Sequence, residues 1–174
     1  MKKIGISLIL LAIIFVTVIA GATDSPNSVE YLRIHIRANS NGEEDQSVKY
    51  RVKSAIVNYL TPFIAECETK EQAIILLENK KDELEDIADK TLKSSGFSYK
   101  SRVAVRKENF PTRVYGEFTL EEGVYDAIIV ELGEAKGDNW WCVVYPPLCF
   151  TASNNVKYKS KIYEIIENFK ERRT

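Results

Sequence analysis

The sequence is poor in the residues that most catalytic and metal sites require. Its 174 residues include one histidine, one methionine and three cysteines. It contains no Gly-x-Ser-x-Gly elbow, no His-Glu-x-x-His pair, no Walker phosphate loop and no dinucleotide fingerprint. A zinc site of cysteine and histidine needs four ligands, and a chain with one histidine and no Cys-x-x-Cys pair is poorly equipped to supply them. We therefore expect no metal, no cofactor, and a binding or signalling module rather than an enzyme.

The chain also lacks an excess of charge of either sign. It has 24 Lys and Arg residues against 25 Asp and Glu residues, which gives a formal net charge of −1. Because the two signs are mixed along the chain, there is no electrostatic case for binding nucleic acid or an anionic membrane surface. We expect neither as a partner.

One long hydrophobic run is present, at the N-terminus. Lys2 and Lys3 precede an apolar stretch over residues 4–20, and Ala20-Gly21-Ala22 fits the small-residue site of a signal peptidase. The pattern predicts a cleaved signal peptide. A run of this length is also at the short limit of a membrane-spanning helix, so an uncleaved anchor is the alternative.

These signals divide the chain into three parts. Residues 1–22 form the signal peptide or anchor, 23–28 a short polar linker, and 29–174 a single domain. Either reading of the first part predicts an exported domain, in a compartment that usually permits disulfides.

The domain alternates between two hydrophobic periods. Apolar and polar residues alternate from Tyr31, which predicts a strand, and two amphipathic helices follow. The period returns to two between Tyr99 and Tyr145, which predicts four more strands before a final helix. The order β-α-α-β-β-β-β-α favours an α+β fold, with a mainly antiparallel sheet and helices packed on one face. We expect the first strand to join the later hairpins in one sheet.

Short-range signals predict where the helices begin and end. Ser40 with Glu43 fits a capping box before the first helix, and Thr69 with Gln72 fits a cap on the second. Gly96 is placed to end the second helix in a left-handed conformation.

Turn signals divide the strand region. Glu108-Asn109, followed by Pro111, predicts a turn, and Gly116 is expected on the inward face of the strand after it. Gly133 and Gly137 bound a stretch that superficially resembles a phosphate loop. We interpret it as a turn, because a strand and not a helix follows it.

Residues 137–150 concentrate the rarest residue types of the chain. They hold both tryptophans, two of the three cysteines and two of the five prolines. Residues 140–145 read as a strand that Pro146-Pro147 ends. Because a strand alternates its faces, Trp140 and Trp141 must point in opposite directions.

Cys142 and Cys149 lie on either side of the two prolines. A chain reversal there could bring their Cα atoms within the roughly 7 Å that a disulfide needs, so we favour a disulfide. Free structural thiols, or a nucleophile activated by His35, remain the alternatives. Cys67 is expected to be a buried thiol.

Three blocks of the sequence closely resemble the stage II sporulation protein R family. They are Asn-Trp-Trp-Cys-Val-Val-Tyr-Pro-Pro-Leu-Cys at 139–149, Leu-Arg-Ile-His-Ile-Arg-Ala-Asn-Ser at 32–40, and Phe-Pro-Thr-Arg-Val-Tyr-Gly at 110–116. One departure is Glu122, where the family usually has proline before Gly123.

The resemblance implies a role in sporulation. Members of the family are made in the forespore, exported across its membrane, and needed there to activate a membrane-embedded aspartic protease that faces them from the mother cell. That protease then processes the precursor of a mother-cell sigma factor. The resemblance therefore implies a non-catalytic signalling domain in the space between the two membranes.

Aromatic and arginine residues are the usual anchors of protein interfaces. We expect contact with the protease through some of six residues, of which the arginines are expected to point outward: Trp140, Trp141, Tyr145, Arg33, Arg37 and Arg113. His35 is expected on the surface, flanked by two arginines that lower its pKa. The alternatives are an exported hydrolase using His35 with Cys142 or Cys149, and a cell-wall-binding module using the tryptophans.

Overall fold

The computed structural model describes residues 31–151 and 156–172. The signal segment and linker predicted for 1–28 lie outside these ranges. The described elements are, in chain order, β1 (Leu32–Arg37), α1 (Glu43–Ile64), α2 (Lys70–Ser94), β2 (Ser101–Phe110), β3 (Arg113–Tyr115), β4 (Phe118–Leu120), β5 (Gly123–Leu132), β6 (Asn139–Tyr145), a 3₁₀ turn (Leu148–Phe150) and α3 (Val156–Glu171). None of the described helices is both long and apolar enough to cross a membrane.

The main sheet has four strands in the order β2-β5-β1-β6. β1 is parallel to β5 and antiparallel to β6, and β2 is antiparallel to β5. The predicted α+β class with a mainly antiparallel sheet is confirmed, and the first strand joins later strands in one sheet as expected; its place between β5 and β6 was not predicted. β3 and β4 form a separate two-stranded hairpin.

One face of the sheet packs on the helices and forms the apolar core. Leu32, Ile34 and Ile36 of β1 are at most 1% exposed, and they pack with buried aliphatic side chains of α1 and α2. The final helix reaches the core through Phe169, whose ring contacts Tyr31 at 5.3 Å between centroids. Burial of this apolar surface is the main stabilising contribution to the fold.

The cap predicted for the second helix is confirmed, and the cap predicted for the first is wrong. The Thr69 side chain accepts a hydrogen bond from the Gln72 backbone N–H, and Gly96 has a φ of +88° just after the helix. α1 instead begins after Gly42, without a side-chain cap. Ser40 lies two residues before the cap position, where its hydroxyl accepts from the Gly42 backbone N–H at 3.1 Å and donates to Asp45 at 2.5 Å.

The turn predicted at Glu108-Asn109 is also wrong. β2 continues through these residues to Phe110, because they pair in register with Tyr125 and Val124 of β5. The reversal occurs instead at Gly116, which has a φ of +62° between β3 and β4. A positive φ favours glycine, so Gly116 is a turn residue of a hairpin and not an inward strand residue.

The turn predicted between Gly133 and Gly137 is confirmed, and it fits closely against the end of β1. The backbone N–H of Gly137 donates to the Ala38 carbonyl at 2.9 Å. A Cβ at Gly137 would lie 2.1 Å from the Ser40 carbonyl oxygen, so no larger residue fits without a shift. The side chain of Asn39 accepts from the Glu134 N–H at 2.9 Å. These contacts fix the loop that leads into β6.

Candidate partner-binding face

The two tryptophans lie on opposite faces of β6, as predicted. Trp140 pairs with Ile36 on the helix side, and the Lys53 ammonium of α1 lies 5.7 Å from its ring. Trp141 pairs with His35 on the other side, with 5.2 Å between the ring centroids. Both are half-buried. The sheet surface opposite α1 and α2, which carries Arg33, His35, Arg37, Glu108 and Trp141, is called the polar face below.

Arg33 is buried, and its expected outward position is wrong. Its side chain is fully covered, with the guanidinium carbon 4.2 Å from the centre of the Phe110 ring and 4.8 Å from that of Tyr125. Its Nη2 donates to the Tyr115 hydroxyl at 2.9 Å. Burial lowers the pKa of Arg33, but a guanidinium remains protonated at physiological pH. The cover comes from β2, β5 and the β3–β4 hairpin, which are distant in sequence.

His35 is buried too, contrary to its expected surface position. It is 3% exposed, and its Nδ1 lies 2.8 Å from Glu108 Oε1. Burial is the largest cause of its lowered pKa, and the neighbouring Arg37 contributes as expected. The ring is therefore neutral near pH 7, with Nδ1–H donating to the carboxylate and Nε2 left as an acceptor.

The carboxylate of Glu108 contacts His35, Arg37 and Arg106 on the polar face. Burial opposes its ionisation, but hydrogen bonds from His35 and Arg106 and the charge of Arg37 lower its pKa overall. Arg37 binds Glu108 and also donates to Glu131 at 2.9 Å. The Arg37 side chain is 27% exposed, so it points outward as expected, but both neighbouring carboxylates already hold it.

Arg113 and Trp141 form a stacked pair at the edge of the polar face. The Arg113 guanidinium carbon lies 4.3 Å from the centre of a Trp141 ring. Both side chains are only partly buried, and the neighbouring Val114 is 66% exposed. An arginine stacked on a half-exposed tryptophan has the composition of an interface anchor.

Tyr145 does not belong to this surface. It is 3% exposed, and its hydroxyl donates to the Glu68 carbonyl between α1 and α2. Its ring also contacts Phe169 of α3 at 6.4 Å. The expected contact role of Tyr145 is therefore corrected: this residue ties β6 to the helices.

The predicted disulfide is present. Cys142 and Cys149 are bonded, with their Cα atoms 6.1 Å apart, and Cys67 is a free buried thiol whose pKa burial raises. Because the two cysteines bond each other and His35 contacts Glu108, the described residues bring no Cys–His pair together. The described part of the chain also contains no cluster of three His, Cys, Asp or Glu side chains suited to a metal.

Sequence reasoning missed the partners that bury Arg33 and His35. Phe110 and Tyr115 lie in a block that matched the family, but alternation alone gave no reason to place them over β1. Glu108 was assigned to a turn, which hid its contact with His35. A carboxylate between two arginines and a histidine could have been suspected only from the pairing of β2 with β5.

These features define an α+β domain whose candidate site is a contact surface rich in arginine and aromatic residues. The chain belongs to the family described as Stage II sporulation protein R, whose family model matches residues 28–155.

A curated relative is similar over much of the chain. It is "Stage II sporulation protein R" of Bacillus subtilis (strain 168), 35% identical over 124 residues, which are 71% of this chain and 55% of the relative. The match thus spans about half the length of that relative. No solved structure matches this chain.

Proposed function

We propose that this protein is an exported sporulation signal that activates a membrane-embedded aspartic protease. The protease then processes the precursor of a mother-cell sigma factor. Family membership is the observation that carries the proposal. In this proposal the domain acts from the space between the forespore and mother-cell membranes.

Activation of this kind requires only binding. A ligand shifts a two-state receptor by its preference for the active state, and a shift from 1:99 to 99:1 needs a preference of roughly 10⁴-fold. A surface with a few strong anchors can supply such a preference. The stacked pair of Arg113 and Trp141, at the half-exposed edge of the polar face, supports the proposal.

The direct test is reconstitution in a host that does not sporulate. The full chain, the candidate protease and the sigma-factor precursor are co-expressed, and processing is followed by the size of the precursor. We expect processing only when all three are present. Processing without this chain, or none with all three expressed and correctly located, would contradict the proposal.

A His35→Ala variant separates binding from catalysis. If the protein works by binding, the variant should lose activity only as far as it loses folded structure, since His35 is buried against Glu108. A stable variant that binds the protease but no longer triggers processing would instead favour a hydrolase.

A further inference from the structure

The polar face holds every buried side-chain N or O atom of the described residues that has no hydrogen-bond partner. These atoms are Nε and Nη1 of Arg33, Nε2 of His35 and Nε1 of Trp141. Buried polar groups are normally paired, because an unpaired one loses its hydrogen bonds to water without replacement. Four such atoms on three residues make this surface a candidate ligand site.

The two arginines of β1 differ in whether a carboxylate pairs with them. Arg37, partly exposed, is bound by the carboxylates of Glu108 and Glu131. Arg33, fully buried, has aromatic rings and the Tyr115 hydroxyl around it, and no carboxylate of the described residues pairs with it. Cation–π contacts offset only part of the cost of burying a charge. A ligand that pairs with Arg33 is therefore expected to be an anion.

The chemistry of the four atoms favours a peptide over an inorganic anion. Arg33 and Trp141 present N–H donors, which suit a carboxylate and a carbonyl oxygen. The Asn139 side chain interacts with the His35 ring, but Nε2 of the neutral ring has no partner within hydrogen-bonding geometry and suits a donor such as a backbone N–H. Sulfate has no such donor near neutral pH, and a phosphate has one only on its protonated oxygen. An acidic residue in a peptide segment has all three groups.

The β3–β4 hairpin supplies part of the cover over Arg33. The hairpin is not part of the four-stranded sheet, and its Leu120 side chain is fully buried in the core. The backbone of Tyr115 pairs with β4 and not with β1. Its hydroxyl accepts a hydrogen bond from Arg33, and Arg113 of the same hairpin stacks on Trp141. Movement of Tyr115 with this hairpin uncovers one side of the guanidinium, while the Phe110 and Tyr125 rings of the main sheet stay in place.

We propose that Arg33, His35 and Trp141 form a binding site for an acidic segment of a protein partner, which enters when Tyr115 moves with the β3–β4 hairpin. The carboxylate of the segment pairs with Arg33, and its backbone pairs with His35 Nε2 and Trp141 Nε1. This proposal specifies the chemistry of the bound segment and not the protein that carries it, so it does not depend on the protease named above.

The test uses the indole N–H resonances of the isotope-labelled full chain. N-acetyl-glutamate α-amide is titrated at constant ionic strength, with N-acetyl-glutamine α-amide as its neutral match and sodium sulfate as an inorganic anion. We expect the acidic probe to shift the Trp141 resonance saturably. Trp140, on the opposite face, is an internal control and should not move.

Two variants decide whether Arg33 is the anchor. Arg33→Gln should weaken binding of the acidic probe about tenfold or more, as expected for loss of a charged hydrogen-bond partner. Arg102→Gln, at a site with a side chain 74% exposed, should bind as the parent does. Arg33→Gln could also fail to fold. The three titrations of the parent chain therefore test the proposal without this variant.

Three outcomes would overturn the proposal. One is an equal response to the acidic and neutral probes, and another is an equal response to sulfate. The third is no selective shift of Trp141 at any probe concentration, which would mean that solvent satisfies these atoms.

Discussion

The two faces of the four-stranded sheet are built from the same strands but obey different rules. On the helix side, β1 contributes Leu32, Ile34 and Ile36 to a dry apolar core. On the polar face, the intervening residues are Arg33, His35 and Arg37, and the first two are also buried. Burying polar groups is costly unless they are paired, so the polar face does not gain stability as the core does.

The difference indicates where selection for function acted. A sequence chosen only for stability would place apolar residues on a buried strand face, and local rules are usually broken at functional sites. The polar face breaks them with a buried guanidinium that leaves two nitrogens unpaired and with a buried neutral histidine. On the helix face the main departure from this rule is Lys49, which is 1% exposed. Its ammonium is paired, because it donates to the Asp138 carbonyl and to the Gln46 side chain.

The largest expected effect is on the helix face. Ile34→Ala should destabilise the domain by about 2–5 kcal/mol, because it removes a fully buried side chain and leaves a cavity. Urea unfolding measures the loss. Ile75→Ala, at a site 62% exposed on α2, is the matched control and should change stability by less than about 0.5 kcal/mol. Equal losses would show that the helix face is not the core.

The disulfide should have the next largest effect. Replacing Cys142 and Cys149 together by alanine opens a short loop with a sequence separation of 7, and the loop-entropy relation gives a loss of about 2.5 kcal/mol. Reducing the parent chain should lower its urea midpoint similarly, since Cys67 is already a free thiol. An unchanged midpoint in the double variant would contradict a stabilising role for this bond.

The smallest effect is a pH dependence that arises from the polar face. Burial lowers the pKa of His35 from 6.5, so below about pH 6.5 the unfolded chain binds a proton that the folded chain does not. Stability should therefore fall as the pH falls from 7 towards 5, by at most about 1.4 kcal/mol per pH unit. Lowered pKa values of Glu108 and Asp45 add further acid sensitivity only below about 4.5.

His35→Gln provides the control for this slope. The chain has a single histidine, so the variant should lose most of the dependence between pH 7 and 5, whatever its stability at pH 7. Thermal unfolding across this range measures the slope. A slope that is unchanged in the variant would place the titrating group elsewhere.

Much of the fold could be predicted from local pattern. Alternation placed β1 and the opposed tryptophans correctly, Thr69 and Gly96 bounded α2, and the proline pair suggested the reversal that brings Cys149 to Cys142. Each of these features depends on residues close in sequence, where side-chain chemistry and backbone preference act directly.

The polar face could not be predicted in the same way. Arg33 looks like a surface residue, because the rings that cover it come from residues 77 to 92 positions later. The turn signal at Glu108-Asn109 was overridden by pairing with β5, which carried Glu108 to His35. Tertiary contacts of this kind override local propensity, and a single sequence does not reveal them.

The measurement that tests the account most directly compares the two tryptophans in the processing assay. Trp141→Ala and Trp140→Ala remove similar half-buried rings from opposite faces, so unfolding curves can confirm that both variants are folded at the assay temperature. If the polar face contacts the partner, Trp141→Ala should reduce processing about thirtyfold, the equivalent of about 2 kcal/mol of binding. Trp140→Ala should process nearly as the parent does. Equal processing by the two folded variants, or a loss confined to Trp140→Ala, would contradict the account.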